Sequence, residues 1–410
     1  MINFLDGFPD RDILIASYKE KEASRVPDVN GHIHTPYSFS AFDDTQQAFI
    51  LASREQVRIL GINDFNTTLG YEDFSRFGIK YKVFPLFNIE FMGLLKNEQQ
   101  DGIRVNDPNN PGRIYFSGKG LDFPVSFSPL SIEKIIGITT ESHRQVRQMT
   151  EKLNQQLKSA DGSLHLDFDE IKKRFTKGMV RERHIARAVR LMMEVKCSSD
   201  EERKEFLKTL YGGKESSADV TSPAAVENDI RGRMLKAGGA AFVEEDPAAF
   251  LDLGEIISII RDGGGIPCYP VLLDDTRGWK TEFESDAEAL YKSLRSWDVS
   301  CIELIPGRND LNILKSFVTF FREKGFIVMF GTEHNTPSLD PLKVSARGGV
   351  PLDEELRIVG YEGACIVAAH QYLRAKGEQG YVSFPEREFK EKNSEFITLG
   401  KAVIDRFLNG

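Results

Sequence analysis

Cysteine is scarce in this 410-residue chain: four residues, Cys197, Cys268, Cys301 and Cys365, far apart and with no Cys-x-x-Cys pair. That spacing excludes a disulfide framework and a zinc knuckle. Long apolar runs are missing too. No stretch approaches the roughly 18 uninterrupted apolar residues of a membrane-crossing helix. The opening residues, MINFLDGFPDRD, hold neither a basic leader nor an apolar core of a secretory signal. A reducing cytoplasm is therefore the expected location, with no membrane partner. Positive charge is short as well: 53 Lys and Arg against 62 Asp and Glu give a net charge of −9. A field of that sign weighs against nucleic acid as the main partner and toward a small molecule, although a local basic patch could override it. There is no repeat of fixed period and no low-complexity tract.

What remains is an ordinary globular composition, 40% hydrophobic and 28% charged. The length exceeds one small core and suits a barrel-type domain carrying insertions. Seven short apolar runs, several bounded by Gly or Pro, predict strands at 28–33, 59–64, 82–91, 113–117, 265–272, 300–305 and 326–331. Helical patterns follow most of them. One spans 45–57, with Asp43 or Asp44 as cap. Another spans 284–297, with Ser285 as cap. A third spans 309–324 and ends at Gly325. This β–α alternation predicts a parallel sheet or closed barrel with its chemistry at the C-terminal strand ends. Residues 140–252 break the rhythm. Val146, Met149, Leu153 and Leu157 have helical spacing, as do Phe168, Ile171 and Phe175 and then Ile185, Val189 and Met192. The expected organisation is a barrel from 1–139 and 253–352, a helical insertion at 140–252, and a C-terminal helical extension at 353–410. The extension reads as two helices around a Gly/Pro-rich loop near 377–385.

Histidine is scarce as well, seven in all, yet two of them stand one residue apart in "GHIHTPYS", at 32 and 34. They follow a predicted strand, where residues i and i+2 share a face. Other predicted strand ends carry Asp64 ("GINDFNTT"), Glu90 ("FNIEF"), Tyr269 ("GGGIPCYPV"), and Glu333, His334 and Asn335 ("FGTEHNTP"). Two histidines with carboxylates form a plausible ligand set for Zn²⁺, Mn²⁺ or Fe²⁺. A divalent ion so held activates water and polarises a phosphoryl or carbonyl oxygen.

Taken in order, HxHT near the start, a Gly-Ile-x-Asp turn, a strand ending in Ile-Glu and a late Gly-Thr-acid block resemble the PHP (polymerase and histidinol phosphatase) superfamily, over roughly 26–135 and 255–345. The resemblance implies a distorted (βα)7 barrel, up to three metal ions and phosphoester hydrolysis. It implies ligands His32, His34, Glu90 and Glu333 for one ion, with His334 as a further candidate. Several expected histidines are replaced: Asn63-Asp64-Phe65 stands for Thr-Asp-His, Cys268-Tyr269-Pro270 for Ala-His-Pro, and "RIYFSGKG" offers none. One ion is expected and a second is left open. "MVRERHIARAV" resembles a segment that some members carry in a helical insertion above the active site. It places Arg183, Arg187 and Arg190 on one helical face, with His184 beside it. Guanidinium forks suit phosphate, so Arg183 and His184, with Tyr269 and Asn335, are expected to bind substrate. Asp64 is the candidate general base. Lys119 is a lesser phosphate candidate.

Each of these has a plainer alternative. His32 and His34 could be strand-end histidines bonded to backbone. Glu90 could be a rim carboxylate paired with a basic residue, although a charge inside "FNIEFMG" needs a partner and a metal is a good one. Asp64 could stabilise its turn. Arg183 and His184 could line a solvated helix face. The expected activity is metal-dependent hydrolysis of a small phosphoester through a metal-bound hydroxide. The alternatives are a PHP-like binding or regulatory module without turnover, and a mononuclear hydrolase of a non-phosphate bond.

Overall fold

The structure is a computed structural model describing residues 3–18, 26–160, 162–275, 277–382 and 388–410. Its centre is one seven-stranded sheet whose spatial order follows the sequence. The strands are β1 (Asp28–Ile33), β2 (Val57–Phe65), β3 (Phe84–Leu94), β4 (Arg113–Lys119), β5 (Ile266–Val271), β6 (Cys301–Leu304) and β7 (Ile327–Phe330). Neighbours pair in parallel, with one exception: β4 runs antiparallel to both β3 and β5. The sheet curls until its edges nearly meet. Thr332 and Glu333 donate backbone N–H to His32 O (3.1 and 2.9 Å), and His34 N–H donates to Glu333 O (2.8 Å). Closure is tight because Gly331 has no side chain; a Cβ there would lie 2.3 Å from the His32 Cβ.

The expected strand positions agree with those found to within a few residues, and the mixed α/β barrel-like sheet follows. The reversed β4 corrects the simple alternation. Residues 95–112 hold only the short helix Lys96–Gln100, too little to serve as a crossover, so β3 and β4 pair as antiparallel neighbours. Caps differ in detail. Asp44 caps Thr45–Glu55 by accepting from Gln47 N (2.9 Å), and Asp286, not Ser285, caps Ala287–Ser296. Gly325 follows Leu311–Glu323 with φ +81°, the left-handed closure expected of it.

Three apolar clusters organise the packing. The outward faces of the strands pack against surrounding helices such as Thr45–Glu55, Leu253–Asp262 and Leu311–Glu323. The inward faces near the strand starts, among them Ile266, Cys268, Cys301, Ile327 and Met329, pack on the helix Glu354–Ala375. That helix plugs one end of the barrel. Gly363 lets it sit directly on β7, where a Cβ would be 2.1 Å from Val328 O. Between β4 and β5, helices including Pro129–Ala160, Phe168–Phe175 and Glu182–Lys196 pack around apolar residues of their own, from Val146 to Ala241. A further helix, Phe389–Asn409, packs on the plug; the part of the expected tail loop at 383–385 lies outside the described residues.

Candidate metal centre

The end of the barrel opposite the plug helix gathers His32, His34 and Glu90, exposed by 1%, 0% and 4%. His32 is on β1 and Glu90 on β3, while His34 follows β1 directly. The two Nε2 atoms are 3.4 Å apart. Glu90 Oε2 lies 3.3 Å from His34 Nε2 and 3.6 Å from His32 Nε2. Donors spaced about 3.3 Å apart are what a tetrahedral ion with ligand bonds of about 2.0–2.1 Å requires.

The hydrogen-bond network shows which nitrogens face that centre as lone pairs. His32 Nδ1 is 3.0 Å from Glu303 Oε2; a carboxylate only accepts, so Nδ1 carries the proton and Nε2 is bare. His34 Nδ1 is 3.3 Å from Ser38 Oγ, whose own proton goes to Asp64 Oδ1 (2.7 Å). That leaves the Ser38 oxygen to accept from His34 Nδ1, and His34 Nε2 is bare as well. Glu90 Oε2 is buried and has no hydrogen-bond partner. Three electron-rich atoms thus converge, which is costly unless a cation joins them. Asn63 Nδ2 is 3.2 and 3.1 Å from the two His32 ring nitrogens and 3.2 Å from Ser117 Oγ; with Nδ1 protonated, the His32 lone pair within its reach is that of Nε2, a contact an entering ion would replace. The residues fit a divalent ion.

Charge is graded around the cluster. Burial pushes the Glu90 carboxyl well above its ordinary range. Burial also lowers His34, against the opposing pull of Asp64. Burial would raise Glu303 and Glu333 too, but their charged and hydrogen-bonding partners override it. Lys119 and His32 hold Glu303 far below the usual carboxylate range, and Arg308 lowers Glu333. Glu333 Oε2 is 2.6 Å from the Arg308 guanidinium and also accepts from Asn335 Nδ2. Glu333 and His34 are close enough for each to influence the other's charge. Glu333 (φ +65°) and His334 (φ +52°) are both left-handed, a strain that two adjacent non-glycine residues rarely bear away from functional sites.

Several expected site residues stand elsewhere. His334 is turned out by that left-handed pair. Its Nδ1 meets Thr332 Oγ1 and its Nε2 meets Asp340 O, both at 2.7 Å, and Phe42 stacks on its ring. Tyr269 is on the outer face of β5, fully buried, with its hydroxyl donated to Glu284 Oε1 (2.8 Å). Strand alternation gives the inward slot to Cys268 instead. Asp64 is wholly buried behind His34 and accepts from Thr35 N, Thr35 Oγ1 and Ser38 Oγ. It braces the ligand cluster and is not poised as a base. His184 Nδ1 accepts from Arg181 N (3.0 Å) at the start of its helix, and Asn335 serves Glu333. Arg187 and Arg190 are spent on Asp43 and on Glu194 and Glu227. Arg183 alone of that face turns to the centre. It acts on the charge of His34 and feels that of Glu333, lies 5.7 Å from the Phe39 ring centroid, and has a buried Nη1 without a partner. Lys119 is sealed inside the barrel and is not open to a substrate phosphate.

Glu303 and Arg308 were not anticipated. Glu303 had a readable signal, a lone charge in the apolar strand "CIEL", the same logic that singled out Glu90. Arg308 had none, because a loop arginine is ordinary.

No family model and no curated protein sequence matches the chain. Solved structures do match in fold. One is a Bifidobacterium adolescentis protein assigned by name to the metal-dependent phosphoesterases: 14% identity, TM-score 0.52, covering 81% of this chain and 94% of that one. Another is an amidohydrolase from Chromobacterium violaceum, solved with sulfate and without metal: 13% identity, TM-score 0.51, covering 81% and 96%. The chain shares its fold with proteins that carry hydrolase names, one of them metal-dependent.

Proposed function

We propose that this chain is a metal-dependent hydrolase of a small phosphoester. The observation that carries the proposal is the buried, unpartnered Glu90 oxygen facing two imidazole nitrogens that the surrounding network leaves bare. His32, His34 and Glu90 would hold a Zn²⁺, Mn²⁺ or Fe²⁺ ion, and Glu333 would join them on leaving Arg308. The chemistry supplied by such an ion is activation of water near neutral pH and polarisation of a phosphoryl oxygen.

The chain's own residues supply the rest. Glu303, and Ser38 with Asp64, fix the two imidazole tautomers before any ligand arrives. Phe39 and Phe65 stack beside His34, at 5.2 and 5.0 Å between centroids, and keep water from its ring. Arg183 offers an unspent guanidinium edge to the phosphate. Arg308, 2.6 Å from Glu333, brings a second guanidinium to the same rim. The PHP-like motif order and the fold shared with a protein named as a phosphoesterase support the phosphoester over other bonds. The acidic net charge favours a small molecule over nucleic acid.

The test runs the wild type and Glu90→Gln side by side on phosphomonoester, carboxylate-ester and amide panels with added Mn²⁺ or Zn²⁺. Slow phosphomonoester turnover that Glu90→Gln abolishes is expected. Equal background rates for both proteins, with a ligand still shifting the melting temperature, would leave a binding module. Glu90-dependent turnover of amides alone would move the activity to a carbon–nitrogen bond.

A further inference from the structure

Lys119 is the least ordinary residue of the barrel interior. Its side chain is 0% exposed, yet it carries an ammonium group. Taking such a charge out of water costs several kcal/mol unless partners repay it. The reversed direction of β4 explains the position. Ser117 pairs with Glu90, and Lys119, two residues further on, points into the barrel below the metal cluster. There Nζ donates to Glu303 Oε2 (2.6 Å) and Asn63 Oδ1 (3.0 Å). Ser117 Oγ donates to Glu303 Oε1 (2.6 Å). The same Glu303 Oε2 faces His32 Nδ1 at 3.0 Å. Because an ammonium only donates, Lys119 also fixes which way the Asn63 amide points.

We infer that Lys119 is a positioning residue for the metal centre. Through Glu303 and Asn63 it orients His32 and presents its Nε2. The inference rests on the metal site proposed above. Without Lys119, the Glu303 carboxylate keeps Ser117 and His32 but loses its one buried cation. It is then free to rotate, and the Asn63 amide is free to flip and offer its oxygen to the His32 ring. Outer partners of this kind change metal affinity about 10–100-fold.

The test compares wild type with Lys119→Met and with Lys119→Gln, which keeps a donor of reduced reach and no charge and guards against a variant that fails to fold. Two readouts are taken. The first is the dissociation constant for Zn²⁺ alone, by competition with a chromophoric chelator. The second is the downfield imidazole Nδ1–H resonance of His32 in metal-free, ring-¹⁵N-histidine-labelled protein, assigned by its loss in His32→Gln. Weakening of about 10–100-fold in Lys119→Met, less in Lys119→Gln, with the resonance shifted or broadened in both, is the expected result. A lower melting temperature with unchanged Zn²⁺ affinity and an unchanged resonance would make Lys119 a purely structural residue and overturn the inference. A wild type that binds no Zn²⁺ would remove the metal centre itself and the inference with it, a failure distinct from the one just described.

Discussion

At the plugged end of the barrel, His370 donates from Nε2 to Gly264 O (2.7 Å) and accepts at Nδ1 from Tyr381 N (2.8 Å). Its neighbour Gln371 accepts from Phe87 N (2.9 Å) and donates to Pro85 O (3.2 Å). At the opposite rim, equally buried, Glu90 Oε2 has no hydrogen-bond partner and faces two unprotonated nitrogens, and two adjacent residues carry left-handed backbone. Both ends are buried and polar. One satisfies its groups internally, and the other spends its hydrogen bonds on holding groups ready. Folded proteins pair nearly all buried polar atoms, and among those left unpaired here Glu90 Oε2 is the one that also faces two imidazole nitrogens at ligand spacing, which marks where a cation from outside belongs. Lys119 and Glu303 stand between the two ends and tie the plugged interior to the rim.

The comparison is broken most severely by removing a rim ligand. His34→Ala is expected to weaken Zn²⁺ or Mn²⁺ binding at least about 100-fold, more than loss of an outer partner costs, with the fold kept. Elemental analysis of protein purified without chelator checks it. Metal retained at one equivalent in His34→Ala would mean that the cluster is not the site. Metal should also stabilise the wild type. At an ion concentration 100 times the dissociation constant, the gain is about 2.7 kcal/mol, read as a shift in the denaturation midpoint. Glu90→Gln should lose most of that gain.

At the plugged end the expected response is the reverse. Gly363→Ala sets a methyl group 2.1 Å from the Val328 carbonyl oxygen, so the plug helix must retreat from β7. A loss of roughly 1–3 kcal/mol is expected, the range of overpacked cores, with metal stoichiometry unchanged. Urea denaturation and elemental analysis on the same preparation separate the two quantities. A Gly363→Ala protein of wild-type stability but reduced metal content would show that the two ends are not independent.

The strands, the core-facing residues of the helices and the cluster of His32, His34 and Glu90 could be read from the sequence, because period and strand-end position leave local marks. What escaped has a non-local cause. The direction of β4 is set by a short connection, and with it the placement of Lys119 deep in the barrel below Glu90 and not at the rim where a phosphate could reach it. Tyr269 and Cys268 differ only in strand parity, which a Pro-flanked run such as "IPCYPV" does not display. His334 was misplaced by two left-handed residues in succession, which no residue type there announces. Arg308 reaches Glu333 only once β6 and β7 lie side by side.

The smallest expected effect is in pH. At the rim, protons compete with metal for the same lone pairs, so acid acts on binding. At the plug, acid acts on stability through His370. Burial lowers its pKa from 6.5 to about 4, partly offset by the bond to Gly264 O. Arg374 and Asp122, which also bear on it, pull in opposite directions. With Nε2–H given to Gly264 and Nδ1 accepting from Tyr381, neither nitrogen can take a proton without breaking a bond. Between pH 4 and 6.5 the unfolded chain therefore binds more protons than the folded one. Stability is complete above about pH 6.5 and falls as pH drops toward 4, by an amount on the order of 1–3 kcal/mol. In metal-free protein, unfolding free energy measured from pH 7 to 4 should follow that slope. His370→Gln should lower stability at pH 7 but flatten the limb below it. An unflattened limb in His370→Gln would assign the acid sensitivity to the other histidines whose pKa burial lowers to about 4, His143 and His184, and not to the plugged end.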